Sequence, residues 1–378
     1  MLKDFYHLKR ENNPHREDAF TLSCLGKLYP ASDKDLSRCR AYLSELIDDS
    51  FNIDDKDEIL IIGLTESGII PALLMQIEAV ERNINSNILY STRRKAVSGI
   101  PFKESHSHGP DHILHLPLLH FKEIWIVEDE ITSGNTAYNL MVKLCEHLNI
   151  RRVRIFAFAD FRDEKQRSDF AIKTEKNNIN CTIHTLDHNI YKNQKSEKER
   201  LKTTKTISKP LNNRLNSRAI DLDKSYEKSY KRDIEPLNGW YFPKKRPALS
   251  IKSGKFIDAE LLRFAPDILS DEWQCCEPDV KKTILAVGEA VDLAAYFALS
   301  NKNVQFQQIS LSPWRVDNSS IFSKISFLDR YYLYNYENLI KEPLNPIFIL
   351  CDPIDKNIEH EAVTKLKGCG IDLKPLFK

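Results

Sequence analysis

Ile124-Trp125-Ile126-Val127-Glu128-Asp129-Glu130-Ile131-Thr132-Ser133-Gly134-Asn135-Thr136 is the stretch on which the fold turns. Four apolar residues read as a strand buried on both faces, and two carboxylates stand at its carboxyl end. A short loop of small and hydroxyl residues then opens a helix predicted over Thr136–Leu148. Unpaired N–H groups and the positive dipole end make a helix start an anion site. Gly134 lets the backbone close around a phosphate, while Thr132, Ser133 and Thr136 supply hydroxyl donors. Glu128 and Asp129 are placed to accept hydrogen bonds from a vicinal diol. The loop is not a Walker A motif, which requires Gly-Lys-Ser/Thr.

Outward from this motif the chain keeps the same grammar. Ile59-Leu-Ile-Ile62, Asn87–Tyr90, Ile113–Leu116 and Val153–Phe158 are strand-like runs, with helices predicted over Ile69–Arg82 and Thr136–Leu148. Short apolar strands alternating with helices predict an α/β domain with a mainly parallel sheet. An amphipathic run, Leu36–Ile47, precedes it. A second α/β pattern starts near Lys282: a strand and turn over Thr283–Gly288, a helix over Glu289–Leu299, strands Val304–Ile309 and Pro346–Leu350, and a helix through Ala362–Leu366. The expected organisation is a first domain over 1–190, a basic polar linker over 191–245 and a second α/β domain over 246–378.

The 378 residues suit two domains. Charge nearly cancels, 55 Lys+Arg against 54 Asp+Glu, which excludes a globally polyanion-binding chain. Between Tyr191 and Asp233 there are thirteen Lys/Arg against six Asp/Glu. That segment reads as a solvated linker, with a nucleic-acid-binding arm as the alternative. No run of about 18 uncharged apolar residues is present, which predicts no transmembrane helix. Met1–Phe5 has no apolar signal core, and the eight cysteines form no Cys-x-x-Cys pair. A cytoplasmic protein with reduced thiols is expected.

The run 124–136 resembles the 5-phosphoribosyl-1-diphosphate (PRPP) signature of type I phosphoribosyltransferases, whose fold is a Rossmann-like parallel sheet. Ile59–Ala72, with Gly63 and Gly68 bracketing Leu64, Thr65, Glu66 and Ser67, is similar to the family's pyrophosphate loop, which often carries a non-proline cis peptide. Alone, a Gly-x4-Gly turn is more often a plain strand-to-helix connection. The resemblance implies an enzyme that transfers phosphoribosyl from PRPP to an acceptor, with Mg²⁺ as cofactor and pyrophosphate as leaving group. It places the ribose hydroxyls and the metal, directly or through water, at Glu128 and Asp129. The 5-phosphate falls at Thr132, Ser133, Gly134, Asn135 and Thr136, next to Glu130. Pyrophosphate falls at Gly63–Gly68 with Lys95, and Arg93 and Arg94 face the charge of the leaving group. Between these elements, His106 and His108 read as donors to substrate, as surface residues or as part of a metal site. Purine-salvage relatives carry an aspartate where Thr132 stands, which argues against hypoxanthine or guanine salvage. His106, His108 or Glu104 would then act as general base.

Tyr90-Ser-Thr-Arg93 followed by Phe102-x-Glu-x-His-Ser-His108 is more particular. It resembles the phosphoribosyltransferase of tellurite-resistance-type gene clusters, whose catalytic domain precedes one named for a Thr-Arg-Ser-Pro motif. Here that motif reads Ser310-Leu-Ser-Pro313, with Arg315 nearby. The two halves also align: Ile59-Leu-Ile-Ile-Gly over Ile284-Leu-Ala-Val-Gly, and Ile124-Trp-Ile-Val-Glu-Asp over Ile347-Phe-Ile-Leu-Cys-Asp. Duplication would make the second domain catalytically degenerate and the molecule an internal pseudo-dimer, with a homodimer as the other arrangement. The competing functional classes are a PRPP- or nucleotide-sensing regulator and an RNA-associated protein using 191–233.

Overall fold

The structure is a computed structural model that describes residues 5–11, 18–47, 58–93, 100–103, 111–114, 116, 120–186, 249–250, 269–341, 345–351 and 356–376. The basic segment 191–233, Arg94, Lys95, Glu104, His106 and His108 lie outside the described residues.

In the first half, β1 (Phe5–Lys9) and β2 (Asp18–Leu22) form a hairpin, followed by the two-residue β3 (Ala31–Ser32) and α1 (Asp33–Leu46). Ser32 and Asp35 close a capping box that starts α1. Then come β4 (Ile59–Gly63), α2 (Ile69–Glu81), β5 (Ser86–Tyr90), a hairpin of β6 (Ile100–Lys103) and β7 (Asp111–Leu114), β8 (Glu123–Ile131), α3 (Asn135–Leu148), β9 (Arg152–Asp160), α4 (Glu164–Lys176) and β10 (Asn180–Thr185). Beyond the undescribed connection, β11 (Leu249–Ser250), α5 (Asp271–Gln274), β12 (Lys282–Val287), α6 (Val291–Ser300), β13 (Val304–Ile309), the hairpin of β14 (Lys324–Phe327) and β15 (Tyr331–Tyr334), α7 (Glu337–Ile340), β16 (Ile347–Leu350), α8 (Lys356–Gly368) and β17 (Leu373–Pro375) complete the chain.

Two sheets result. The first runs β10-β9-β8-β4-β5-β11 and the second β17-β16-β12-β13-β3. Strands are parallel within each, except β11 and β3, which join antiparallel at the edge beside β5 and β13. Strand order, crossover helices and hairpins therefore correspond: β4 to β12, β5 to β13, β6–β7 to β14–β15, β8 to β16 and β9 to β17. Even the single bridge tying each hairpin to the end of the strand before it recurs, as Thr92 with Ile113 and Ser310 with Tyr332. This shared order is what a duplication requires. One departure from the sequence expectation is Ile113–Leu116: instead of a sheet strand, the hairpin β6–β7 forms there, and β7 ends at Leu114. Its flanking Asp111 and His112 interrupt the apolar run that a central parallel strand needs.

The edge strands are exchanged between halves. β3 comes from the first half and completes the second sheet, while β11, beyond the connection, completes the first. The core is shared as well, since α1, α2 and α6 pack together between the sheets in one apolar cluster. All residues of α2 from Ile69 to Ala79 are buried, as expected of a helix apolar on every face. Glu78 on α2 holds α1 through Ser44 Oγ at 2.7 Å and Arg40 Nε at 3.2 Å. Among the described residues, no helix is long and apolar enough to cross a membrane.

Candidate active site

Gly63 at the end of β4 and Val127 near the end of β8 are register partners on adjacent parallel strands. The two loops singled out in the sequence therefore leave the sheet side by side, at the carboxyl ends where open α/β sheets bind ligands. Burial along β8 is complete from Glu123 to Val127 and then relaxes at Glu128, Asp129 and Glu130. The chain turns through Gly134 at φ 74°, and α3 starts at Asn135. A Cβ on Gly134 would stand 3.0 Å from the ring of Phe170, so both its angle and its surroundings call for glycine. Beneath this loop Arg162, nearly fully buried, donates to Asp160 through Nε and Nη2, both at 2.9 Å, and its guanidinium lies 5.0 Å from the Phe170 ring centre. Burial alone would raise the Asp160 pKa, but the hydrogen bonds and charge of Arg162 outweigh it and hold the carboxyl below its ordinary value.

The second loop, 64–68, folds tightly. A Cβ on Gly63 would stand 2.6 Å from the Gly68 carbonyl, and one on Gly68 2.6 Å from the Leu64 nitrogen. The Thr65–Glu66 peptide is cis, within the span where the family resemblance put one. Ser91 holds this loop: its hydroxyl accepts the Thr65 N–H at 2.9 Å, and its carbonyl accepts from the Thr65 hydroxyl. His112 Nδ1 sits 3.1 Å from the same Ser91 hydroxyl, and Arg93 Nε is 3.4 Å from His112 Nε2.

The third wall comes from the second half. Leu311, Ser312, Pro313 and Trp314, just beyond β13, line the cleft opposite the two loops. The Leu311 N–H donates to Glu66 Oε2 at 3.1 Å, and Arg93 Nη1 is 4.0 Å from the same oxygen. Glu289, in the turn after β12, does the reciprocal: it accepts the Arg93 N–H at 2.9 Å and the Thr92 hydroxyl at 2.8 Å. Each half thus sends a carboxylate from the turn after its first parallel strand to the backbone just beyond the other half's second. The hairpin β1–β2 is the roof. It is fixed to the second half by the Arg10–Trp314 bridge and by Arg315 N–H donating to the Lys9 carbonyl at 2.8 Å. Arg315 itself is exposed and does not line the cleft.

Of the residues expected to form the site, Leu64, Thr65, Glu66, Ser67, Arg93, Glu128, Asp129, Glu130, Thr132, Ser133, Gly134 and Thr136 line this one cleft. Gly63 and Gly68 pack beneath it, and Asn135 is exposed in the first turn of α3. Arg10, Phe20, Lys27, Ser312 and Trp314 also line it and were not expected. Ser312 falls in the Ser310–Pro313 motif, and Lys27 is a cation embedded in the apolar run Leu25-Gly-Lys-Leu28.

Magnesium fits the donor set. Glu66 Oε1 is buried without a hydrogen-bond partner among the described residues, and Glu128 and Asp129 line the same cleft. No group of three or more His, Cys, Asp or Glu that could hold a metal forms among the described residues. Magnesium ordinarily needs only one or two carboxylates, with substrate oxygens and waters completing the shell.

Residues 6–189 match the profile of the family described as phosphoribosyl transferase. The matched segment holds both cleft loops of the first half. No curated protein matches the chain. Solved structures similar to it include the adenine phosphoribosyltransferase of Trypanosoma brucei (13% identity, 49% of this chain and 76% of that one, TM-score 0.35). That of Thermoanaerobacter pseudethanolicus is 14% identical over 49% of this chain and 95% of its own, with TM-score 0.34. That of Leishmania donovani is 13% identical over 48% and 76%, with TM-score 0.35.

Proposed function

We propose that this chain, whose residues 6–189 match a phosphoribosyltransferase family, transfers the 5-phosphoribosyl group of PRPP to a nitrogenous base or base-like acceptor and releases pyrophosphate. One observation carries the reading. The acidic strand end with its helix-start loop and the glycine-bracketed loop open from register partners into a single cleft. That spacing suits a ligand with phosphate at one end, a diol in the middle and a second anionic group at the other.

In this reading the N–H groups of Ser133–Thr136 take the 5-phosphate, and Glu128 and Asp129 accept from the ribose hydroxyls. The 64–68 loop and Arg93 meet the pyrophosphate. Its departure leaves positive charge on the ring, so the transition state is oxocarbenium-like, as in glycoside hydrolysis. The protein's part is to align the acceptor nitrogen with the anomeric carbon, exclude water and neutralise the leaving group. A magnesium ion held at Glu128 or Asp129 would supply part of that neutralisation. Phe20 and Trp314 give the cleft apolar surface suited to a planar acceptor. Leu311, Ser312 and Pro313, in the segment that resembles the Thr-Arg-Ser-Pro motif, line the same cleft.

The test is calorimetry with Mg²⁺ and PRPP, followed by mass spectrometry of a cell extract incubated with both for new ribosyl-5-phosphate adducts. Tight PRPP binding and a pyrophosphate-releasing product support the proposal. Binding without any product would make the chain a sensor, and no binding would remove PRPP from the reading.

A further inference from the structure

Lys27 is only 2% exposed. Lysines are almost never so buried without an acidic partner, because an unpaired ammonium in a low-dielectric site is costly. Yet its ammonium makes no ion pair among the described residues. Its partners are Ser67 Oγ at 2.7 Å, Ser312 Oγ at 3.4 Å and the Trp314 ring at 5.6 Å from its centre. Two neutral hydroxyls and an indole face leave a net positive charge at the wall of the cleft, against the 64–68 loop.

The second half aims this charge. The Gly26 carbonyl accepts the Gln308 N–H of β13 at 2.8 Å, and Leu28 O accepts from Gln307 Nε2 at 3.2 Å. Gly26 lies so close to Phe306 that a Cβ would meet its ring at 2.8 Å. Both neighbours of Lys27 are therefore fixed on a strand of the second sheet, while its side chain reaches a loop of the first.

We infer that Lys27, with Ser67 and Ser312, binds the pyrophosphate end of the substrate, as a cation outside the family's signature segments that the second half holds in place. The inference rests on the PRPP reading. Ser67 Oγ accepts from the ammonium, so its own O–H is left to donate to a phosphate oxygen. An anion here supplies the direct contact that no carboxylate among the described residues gives the ammonium, and the ammonium neutralises charge on the leaving group as it departs.

The experiment is calorimetry of the full chain and of Lys27→Met with inorganic pyrophosphate and, separately, ribose 5-phosphate, each with magnesium chloride, beside thermal melts. The expected result is about 10- to 100-fold weaker pyrophosphate binding, ribose 5-phosphate affinity within about twofold, and a melting temperature equal to or above wild type, since an unpaired buried charge has been removed. Equal pyrophosphate affinity in Lys27→Met while the wild type binds both ligands overturns this inference alone. A wild type that binds neither ligand removes the PRPP reading as well. A fall in melting temperature with pyrophosphate affinity retained makes Lys27 a structural pin. If Lys27→Met folds poorly, Lys27→Gln, which keeps a donor without the charge, carries the same expectation.

Discussion

The two halves share a topology and differ at the ends of their strands. β8 leads into Glu128, Asp129 and a loop that turns at Gly134 into α3. Its counterpart β16 ends at Leu350 and is followed by Cys351, which is buried in the apolar core of the second half. After β4 the chain makes a four-residue turn, 65–68, before α2. After β12 a single 3-10 turn, Gly288–Ala290, runs straight into α6. The second half keeps only the carboxylate of that turn, Glu289, and uses it to grip Thr92 and Arg93 of the first. The sheet is a frame, and the chemistry lies in a few residues at the strand ends. Among the described residues, the second half contributes Leu311–Trp314 as a wall of the first half's cleft.

The contrast is broken most directly at the paired strand ends. Replacing Glu128 and Asp129 together with alanine is expected to remove several kcal/mol of PRPP binding, since charge-assisted hydrogen bonds contribute about 1.5–3 kcal/mol each. Cys351→Ala, at the matching position, is expected to leave PRPP affinity unchanged in the same calorimetry. Comparable losses from both would mean that the second half carries a ligand site of its own.

The reciprocal carboxylates come next in size. Glu289→Ala strips partners from the Arg93 N–H and the Thr92 hydroxyl, and about 1–3 kcal/mol of stability should be lost in urea unfolding. Glu66→Ala should cost a similar amount and also lower turnover, because Glu66 lies in the cleft and interacts with Arg93. Stability unchanged by either replacement would show that the exchange does not hold the halves together.

Smaller again is the pair of left-handed glycines, Gly134 at φ 74° and Gly288 at φ 58°. Alanine at either is expected to cost about 1–2 kcal/mol in the same unfolding assay. Only Gly134→Ala should also weaken ribose 5-phosphate binding. If Gly288→Ala weakens it equally, the turn after β12 contributes to the cleft directly.

The smallest expected effect is on acid stability, and it sorts the halves by pH. For Glu78, in the first half, burial raises the pKa but is outweighed by hydrogen bonds from Ser44 and Arg82 and by Arg40, leaving it below its ordinary 4.5. Asp317, in the second half, sits at about 2, because backbone N–H groups of Ile321, Ser319 and Ser320 outweigh its desolvation. A depressed carboxyl pKa stabilises the fold above the unfolded-state value and loses that contribution as pH falls through the folded-state value. The Glu78 contribution should therefore begin to fade below about pH 4.5, and that of Asp317 between 3.8 and about 2. Urea midpoints of Glu78→Gln and Asp317→Asn across pH 2–6 check this. Both variants should converge on wild type at the acid end, Glu78→Gln beginning at the higher pH.

The parts of this fold legible in the sequence are those written locally. The buried runs at 59–62 and 124–127, the glycine-bracketed turn and the acidic strand end carry their geometry in consecutive residues, and the alignment of residues 59 and 284 anticipates the repeated strand order. The exchanged strands β3 and β11 have two residues each, too short for any periodicity to mark them. Helix α4 is polar on most of its surface, so no apolar periodicity marked it, and its Asp163–Gln166 capping box is seen only in the structure. Lys27 escaped notice because its meaning lies in its partners, 40 and 285 residues away in the chain. Arg94, Lys95, His106 and His108 remain expectations outside the described residues.

The separation between Lys27 and Ser312 also bears on the protein's synthesis. At about 5–20 residues per second, Ser312 leaves the ribosome roughly 15–60 s after Lys27. During that interval the segment that matches the transferase family has both its loops but not the Leu311–Trp314 wall, and β3 has no strand to pair with. The cleft is therefore complete only once β13 and the five residues beyond it, Ser310–Trp314, have been made, so the last wall of the pocket is also a late step of translation.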